Sequence, residues 1–129
     1  MIICDTHCDT LYMRALQPNK TPCVTMDAMK KGGMSLQTCT LYAGNQGMAG
    51  HPYDTAMAEY HAFEHLRDAE GWERVNSPLE AEDGKVKILL SVEGGEIFEG
   101  KVERVHEFYG YGVRMAALTW NNENEIGHS

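Results

Sequence analysis

Apolar positions along this chain fall into short blocks that switch between a strand-like and a helix-like period. The first, Ile2-Ile3-Cys4, breaks at once into the polar stretch Asp5-Thr6-His7-Cys8-Asp9-Thr10 and reads as a buried strand ending in a functional loop. Residues 17–24, with Pro18 and Pro22, read as loop. Thr25 is placed to N-cap a short helix over Met26–Lys31, which Gly32-Gly33 stops. Residues 34–42 alternate and are rich in β-formers, predicting a second strand, and residues 43–52, with three glycines and a proline, predict a loop. Spacings of three to four among Ala56, Met57, Tyr60, Phe63 and Leu66 predict a helix over residues 53–69, with Gly71 as its stop. Residues 86–92 form a third strand, cut off by Glu93-Gly94-Gly95. A short helix over 101–109, with Val102, Val105 and Phe108 on one face, ends at Gly110. A fourth strand over 113–119 runs into Trp120-Asn121-Asn122-Glu123-Asn124-Glu125.

Strands that alternate with helices predict an α/β fold with a parallel sheet built from βα units. Strands one, three and four each end in a polar, Gly- or Asn-containing segment, which places those segments at the C-terminal edge of the sheet, where chemistry collects. Four such strands fit either a small open sheet or about half of a (β/α)8 barrel of ~250 residues, and the pattern alone does not choose. No internal repeat, low-complexity tract or linker divides the chain, so residues 1–129 are read as one unit.

Composition narrows the function. Hydrophobic residues at 43% and charged residues at 23% exclude wholesale disorder. Lys and Arg number 11 against 19 Asp and Glu, a net charge of −8 that repels phosphate backbones and anionic headgroups, so neither nucleic acid nor a membrane surface is an expected partner. No apolar run approaches the ~20 residues that span a bilayer. The start, Met1-Ile2-Ile3-Cys4-Asp5, lacks the basic region and length of a signal peptide, so a cytoplasmic location is expected. Cys4, Cys8, Cys23 and Cys39 form no C-x-x-C pair and cluster in the first third, as expected of reduced and mostly buried thiols.

Asp5-Thr6-His7-Cys8-Asp9 is the strongest local signal. Residues two apart at a strand end point to the same side, so His7 and Asp9 can address one point as part of a facial metal site. The same five residues equally suit a turn whose aspartates cap backbone amides. Glu93 shifts the balance, because a carboxylate directly after an apolar strand shares the sheet edge of His7 and Asp9. Gly94-Gly95 lets the backbone come close to whatever that glutamate holds. The spacing Gly94, Gly95, Gly100 matches no phosphate-binding motif. His61 and His65 stand four apart, but a zinc-protease helix needs Glu directly after the first His; here Glu64 precedes the second, so a solvated face is expected. His51, His106 and His128 have no partners at ligand spacing, and no G-x-S-x-G elbow is present.

Four segments then follow one another in a telling order: Asp5-Thr6-His7-Cys8-Asp9-Thr10-Leu11, Met29-Lys30-Lys31-Gly32-Gly33-Met34-Ser35-Leu36-Gln37, Ser91-Val92-Glu93-Gly94-Gly95, and Tyr111-Gly112-Val113-Arg114-Met115 with Leu118-Thr119-Trp120-Asn121. Together they resemble the N-terminal part of the membrane (renal) dipeptidase family of metallopeptidases, family M19, nearly end to end. The resemblance implies a partial (β/α)8 barrel, with residues 1–129 as the N-terminal half of a metallo-dipeptidase domain. It implies a two-metal, usually zinc, site that hydrolyses dipeptides through a metal-bridging hydroxide, with metals ~3.5–4 Å apart. His7 and Asp9 would bind one metal and Glu93 would bridge both, as the catalytic carboxylate. Asp5 has no ligand role in that pattern and is expected to cap the turn or support the ligands from behind.

The family's second metal takes two histidines from later strands, and its substrate-clamping arginine and late aspartate lie further on. The 129-residue chain alone is therefore expected to be inactive, with at most one metal site partly formed. Its expected partners are the missing C-terminal half or another chain, and a homo-oligomer is expected. His128 lies in the wrong place for either histidine. Trp120 stands where many members carry a substrate-contacting histidine, so Trp120, Asn121 and Asn124 are the expected substrate contacts. Two other readings stand beside this one. A half-barrel with open strand edges could be a non-catalytic binding or assembly module. Another barrel-type metal hydrolase, such as a lactonase or deacetylase, usually opens with His-x-His, whereas this chain has His-x-Asp.

Overall fold

In the computed structural model, which describes residues 1–44 and 50–128, the strands pair only in parallel. β1 (Cys4–Asp5) lies beside β2 (Leu36–Tyr42), and β2 beside β4 (Lys87–Glu93). The far side of β4 is shared by β3 (Glu73–Arg74) at its start and β5 (Val113–Ala117) at its end. The helices α1 (Thr10–Leu16), α2 (Met26–Lys31), α3 (Pro52–Glu70) and α4 (Val102–Gly110) fall between the strands. This is the parallel α/β order expected of part of a (β/α)8 barrel.

β2 and β4 organise the rest. They pair in register from Leu36↔Lys87 to Tyr42↔Glu93, and six of the seven residues in each are buried. Burial on both faces is what makes their sequences read as near-continuous runs. With a side-chain period of two, Cys39 and Leu41 of β2 join Ile88, Leu90 and Val92 of β4 in the main core, with Leu11, Phe63, Leu66, Trp72 and Phe108. The opposite face carries Leu36 and Leu89, packed with Val75, and further along Thr40, Ser91 and Glu93. Besides Leu36 and Leu89, the same face carries Lys87 at its start, buried and paired with Glu73, and polar groups at its end.

Local signals worked where they were chemical. Thr25 accepts a hydrogen bond from the Ala28 N–H at 3.2 Å and caps α2 as expected. Gly71 ends α3 in the left-handed conformation, φ 70°, which a side chain would strain. Pro52, expected in the loop, instead begins α3, where its missing N–H costs nothing. Residues 45–49 of the expected loop over 43–52 lie outside the described residues.

Several expectations need correction. The first strand is neither long nor buried: β1 has two residues, and Ile2 and Ile3 are 50% and 38% exposed, because among the described residues only β2 pairs with it. The turn after it tightens into α1, a helix not anticipated because the preceding polar run hides its start. In α4 Phe108 is buried, but Val102 and Val105 are exposed. Steps of three residues fall behind a 3.6-residue turn by about 60° each, so Val102 and Phe108 lie about 120° apart around the helix. The fourth strand stops at Ala117 rather than 119, and its pairing with β4 shifts register between Leu90 and Ser91. β3 and the 3-10 turns Pro78–Glu80 and Gly95–Phe98 were not anticipated; each is too short to leave a periodic trace. All four cysteines are free, but only Cys8 and Cys39 are buried, Sγ to Sγ at 3.5 Å, while Cys4 and Cys23 are exposed. Among the described residues no helix is long and apolar enough to cross a membrane.

The two faces of α3 should separate in a stability measurement. Phe63 is fully buried in the main core and His61 is exposed. Phe63→Ala is expected to cost about 3–5 kcal/mol. His61→Ala should stay within about 0.5 kcal/mol of the parent. Urea denaturation followed by circular dichroism checks both.

Candidate metal centre

Two segments deliver three side chains to the C-terminal edge of the sheet. His7 and Asp9 come from the turn between β1 and α1, and Glu93 is the last residue of β4. The turn is tied down locally: the His7 N–H donates to Asp5 Oδ1 at 3.2 Å, and the Thr40 N–H donates to the Cys8 carbonyl at 3.0 Å. Asp5 thus caps the turn rather than joining the cluster. His7 Nε2 lies 3.2 Å from Asp9 Oδ1 and 3.9 Å from Glu93 Oε2. One ligand atom from each of the three residues falls within 4.8 Å of the other two.

The donor set suits a zinc-type ion. Ligand atoms held ~2.0–2.2 Å from one tetrahedral metal lie roughly 3–4 Å apart, the range of both histidine distances here. One imidazole and two carboxylates are also ligands that such an ion accepts. The cluster opens on a cleft of about 430 Å³ lined by Thr6, His7, Thr40, Ser91, Glu93 and Met115, with Val92, Ala116 and Ala117. His7 and Asp9 are exposed, and Glu93 is partly covered. The site is therefore open to solvent and to a small substrate.

Gly94 and Gly95 tie the segment after the glutamate to the outer strand. Gly94 adopts φ 93°, and a Cβ there would run into the Glu96 carboxylate. A Cβ on Gly95 would meet the Leu118 carbonyl oxygen at 2.9 Å as well as Ile126. The two N–H groups donate to the carbonyls of Ala117 and Leu118 at 3.0 and 2.9 Å. Gly95 thus permits close approach to the Leu118 carbonyl just past β5, and both amides tie this segment to the end of that strand.

The expected substrate contacts divide. Trp120 packs edge-on against Tyr42, ring centroids 4.9 Å apart, and Tyr12 adds a third ring 5.8 Å from Tyr42. Burial, reinforced by the Glu93 carboxylate, pushes the Tyr42 phenol up to about 12, so this wall stays neutral. Asn121 is exposed on the loop after β5. Asn124 is committed elsewhere: its Nδ2 donates to Glu96 Oε2 and the Leu118 carbonyl, and its Oδ1 accepts from the N–H groups of Ile126 and Gly127. An amide spent on closing its own loop is not positioned as a substrate contact. His51, His61, His65 and His106 are exposed, and His128 forms a solvent-exposed pair with Glu123 at 2.8 Å.

Glu59 went unnoticed. It is fully buried in α3, and its Oε2 accepts the Tyr42 N–H at 2.8 Å, fixing the end of β2. Its Oε1 has no hydrogen-bond partner among the described residues. Burial raises its carboxyl well above the usual carboxylate range; the Tyr42 bond opposes this and the Asp9 carboxylate adds to it. A signal was available, since Glu59 lies three residues after Ala56 and four before Phe63, on the helix's apolar face.

Comparisons with known proteins bear on the family and the fold. The family described as membrane dipeptidase (peptidase family M19) matches residues 1–129. A crystal structure of an amidohydrolase from Pseudomonas aeruginosa superposes with a TM-score of 0.73 at 21% identity, covering 98% of this chain and 36% of that one. A metallopeptidase of family M19, dipeptidase AC, gives 0.76 at 18% identity over 94% of this chain and 43% of its own. A metallopeptidase from Rhodobacter sphaeroides, bound to a phosphinate mimic of the dipeptide L-Ala-D-Ala, gives 0.75 at 16% identity over 95% and 46%. The chain spans less than half the length of these solved relatives. No curated protein matches it significantly.

Glu59 should leave a mark on the pH dependence of stability. Folding raises its pKa, so the native state keeps this proton to higher pH than the unfolded chain does. Its contribution is therefore lost as pH climbs above the unfolded value near 4.5. Glu59→Gln removes that titration, so the variant should gain on the parent between about pH 5 and 8. Urea midpoints measured across that range check the sign.

Proposed function

This chain belongs to the membrane dipeptidase family, peptidase family M19, and from that premise we propose that it carries part of the active site of a zinc-dependent dipeptidase. The observation that carries the reading is the convergence of His7, Asp9 and Glu93 within 4.8 Å at the C-terminal edge of a parallel sheet. We take residues 1–129 as the N-terminal half of a barrel domain, in keeping with the partial coverage of the solved relatives. The remaining ligands would come from outside this sequence, either from further chain or from another copy.

Each residue then has a task. His7 offers Nε2 and Asp9 a carboxylate oxygen from one turn, which makes them a pair for a single ion. Glu93 brings two oxygens from the end of β4 and is the proposed bridge. Bound zinc would supply an activated water and a Lewis acid for the scissile carbonyl. The aromatic group of Tyr12, Tyr42 and Trp120 would contact the substrate, with Asn121 as the polar group beside Trp120. The exposed apolar side chains of Ile2 and Ile3, just before β1, and of Met115 in β5 favour a second reading, a half-barrel that assembles with another chain.

Zinc titration by calorimetry tests the metal reading. The parent should bind zinc, and His7→Ala should bind it at least ~10-fold more weakly, the equivalent of losing about 1.4 kcal/mol. Equal affinity in the variant would remove His7 from the ligand set. Against a panel of dipeptides the 129-residue chain should show no hydrolysis by itself. Chelator-sensitive turnover by the chain alone would show that the site is complete within it.

A further inference from the structure

Behind His7 lie two hydroxyls that the metal reading does not use. Thr40 and Ser91 are cross-strand partners in the β2–β4 register, and both side chains project from the face that carries Glu93. Their oxygens are 2.8 Å apart, and both residues are buried, Thr40 almost completely. Thr40 Oγ1 also lies 3.3 Å from His7 Nδ1. The chain of contacts therefore runs from Ser91 through Thr40 to the ring nitrogen facing away from Asp9 and Glu93.

Such a pair needs a reason. A buried hydroxyl is unfavourable unless it is hydrogen-bonded, and at the strand starts the same face is filled by Leu36 and Leu89. Thr40 and Ser91 satisfy each other, and Thr40 still has hydrogen-bonding capacity for one more partner, which it directs to His7. The imidazole otherwise stands on an exposed turn, where its ring could rotate about χ2. Holding Nδ1 against the rigid centre of the sheet leaves Nε2 aimed at the two carboxylates. Histidines that bind metals commonly use their second nitrogen in this way, and losing the outer partner costs roughly 10–100-fold in affinity.

We propose that Thr40, held in place by Ser91, is the positioning residue for His7, orienting its ring so that Nε2 meets the metal. This rests on the metal-centre reading above and adds the two residues that preorganise it. Both act through His7 and are not themselves metal ligands in this reading.

The test is zinc affinity of the whole chain, by calorimetry or competition with a chromophoric chelator. Thr40→Val keeps the shape and removes the hydroxyl, and should weaken zinc binding about 10–100-fold, while Thr40→Ser restores it to within about threefold. Ser91→Ala leaves Thr40 present but unanchored, and should weaken binding about 3–10-fold, less than the loss of Thr40 itself. Long-range ¹H–¹⁵N spectra of the zinc-loaded parent should show the His7 ring bearing its proton on Nδ1, in slow exchange, and Thr40→Val should lose that protection. A general loss of structure would not be repaired by Thr40→Ser and would show in the circular dichroism of all three variants. If folded Thr40→Val, or folded Ser91→Ala should Thr40→Val not fold, binds zinc as tightly as the parent, the positioning role is wrong. If His7→Ala also binds as tightly, the metal-centre reading falls with it; a loss confined to His7→Ala overturns the positioning role alone.

Discussion

The parallel pairing of β2 with β4 is the constraint on which the rest of the structure depends. Seven consecutive residues of each strand are locked in register, so every side chain on one is matched to a set neighbour on the other. Thr40 is opposite Ser91, and Tyr42 is opposite Glu93. A slip of one residue in β4 would turn Ile88, Leu90 and Val92 out of the core and bring the Ser91 hydroxyl in. The apolar core therefore enforces the placement of polar groups on the other face. β1 then joins β2, and the turn after it lands where the Cys8 carbonyl meets the Thr40 N–H. His7 reaches the site because that register leaves no other place for the turn.

Charge accumulates at the same end. Asp9 and Glu93 approach one imidazole, Glu59 lies buried under the end of β2, and the chain as a whole carries a net charge of −8. Negative groups held this close repel one another, and the fold relieves that in two ways. Burial keeps Glu59 toward its neutral form, and the phenol of Tyr42 stays protonated between the carboxylates. Asp9 and Glu93 remain open to the cleft, where a cation can offset them. The same field draws divalent cations and disfavours anions, which agrees with a site that takes up metal rather than phosphate.

The outer parts of the sheet are held less firmly than its centre. β1 has two residues, and Met115, Ala116 and Ala117 of β5 are exposed. Such edges are where a parallel sheet would continue, and the solved relatives are more than twice as long as the matched region. Glycines at 94 and 95 let the end of β5 close on the segment after Glu93, so the carboxylate is braced from the outer strand as well as from β2.

Much of this was legible in the amino-acid order. Alternating strand and helix patterns determined a parallel α/β fold, Thr25 and Gly71 marked helix ends, and His7 and Asp9, two apart after the first strand, became candidates because Glu93 follows an apolar strand at the same sheet edge. What could not be read was whatever depends on neighbours distant in the chain. The exposure of Ile2 and Ile3 follows from having one strand beside them instead of two, which their own apolar character does not reveal. Asn124 looked free to meet a substrate until the loop folded around its amide. Thr40 and Ser91 look like ordinary polar breaks in two strands and become a pair only through a register spanning 51 residues. Local chemistry sets which groups each segment offers, because capping, periodicity and turn preference act within a few residues. Which of those groups meet is decided only when the core, by excluding water, fixes strand against strand.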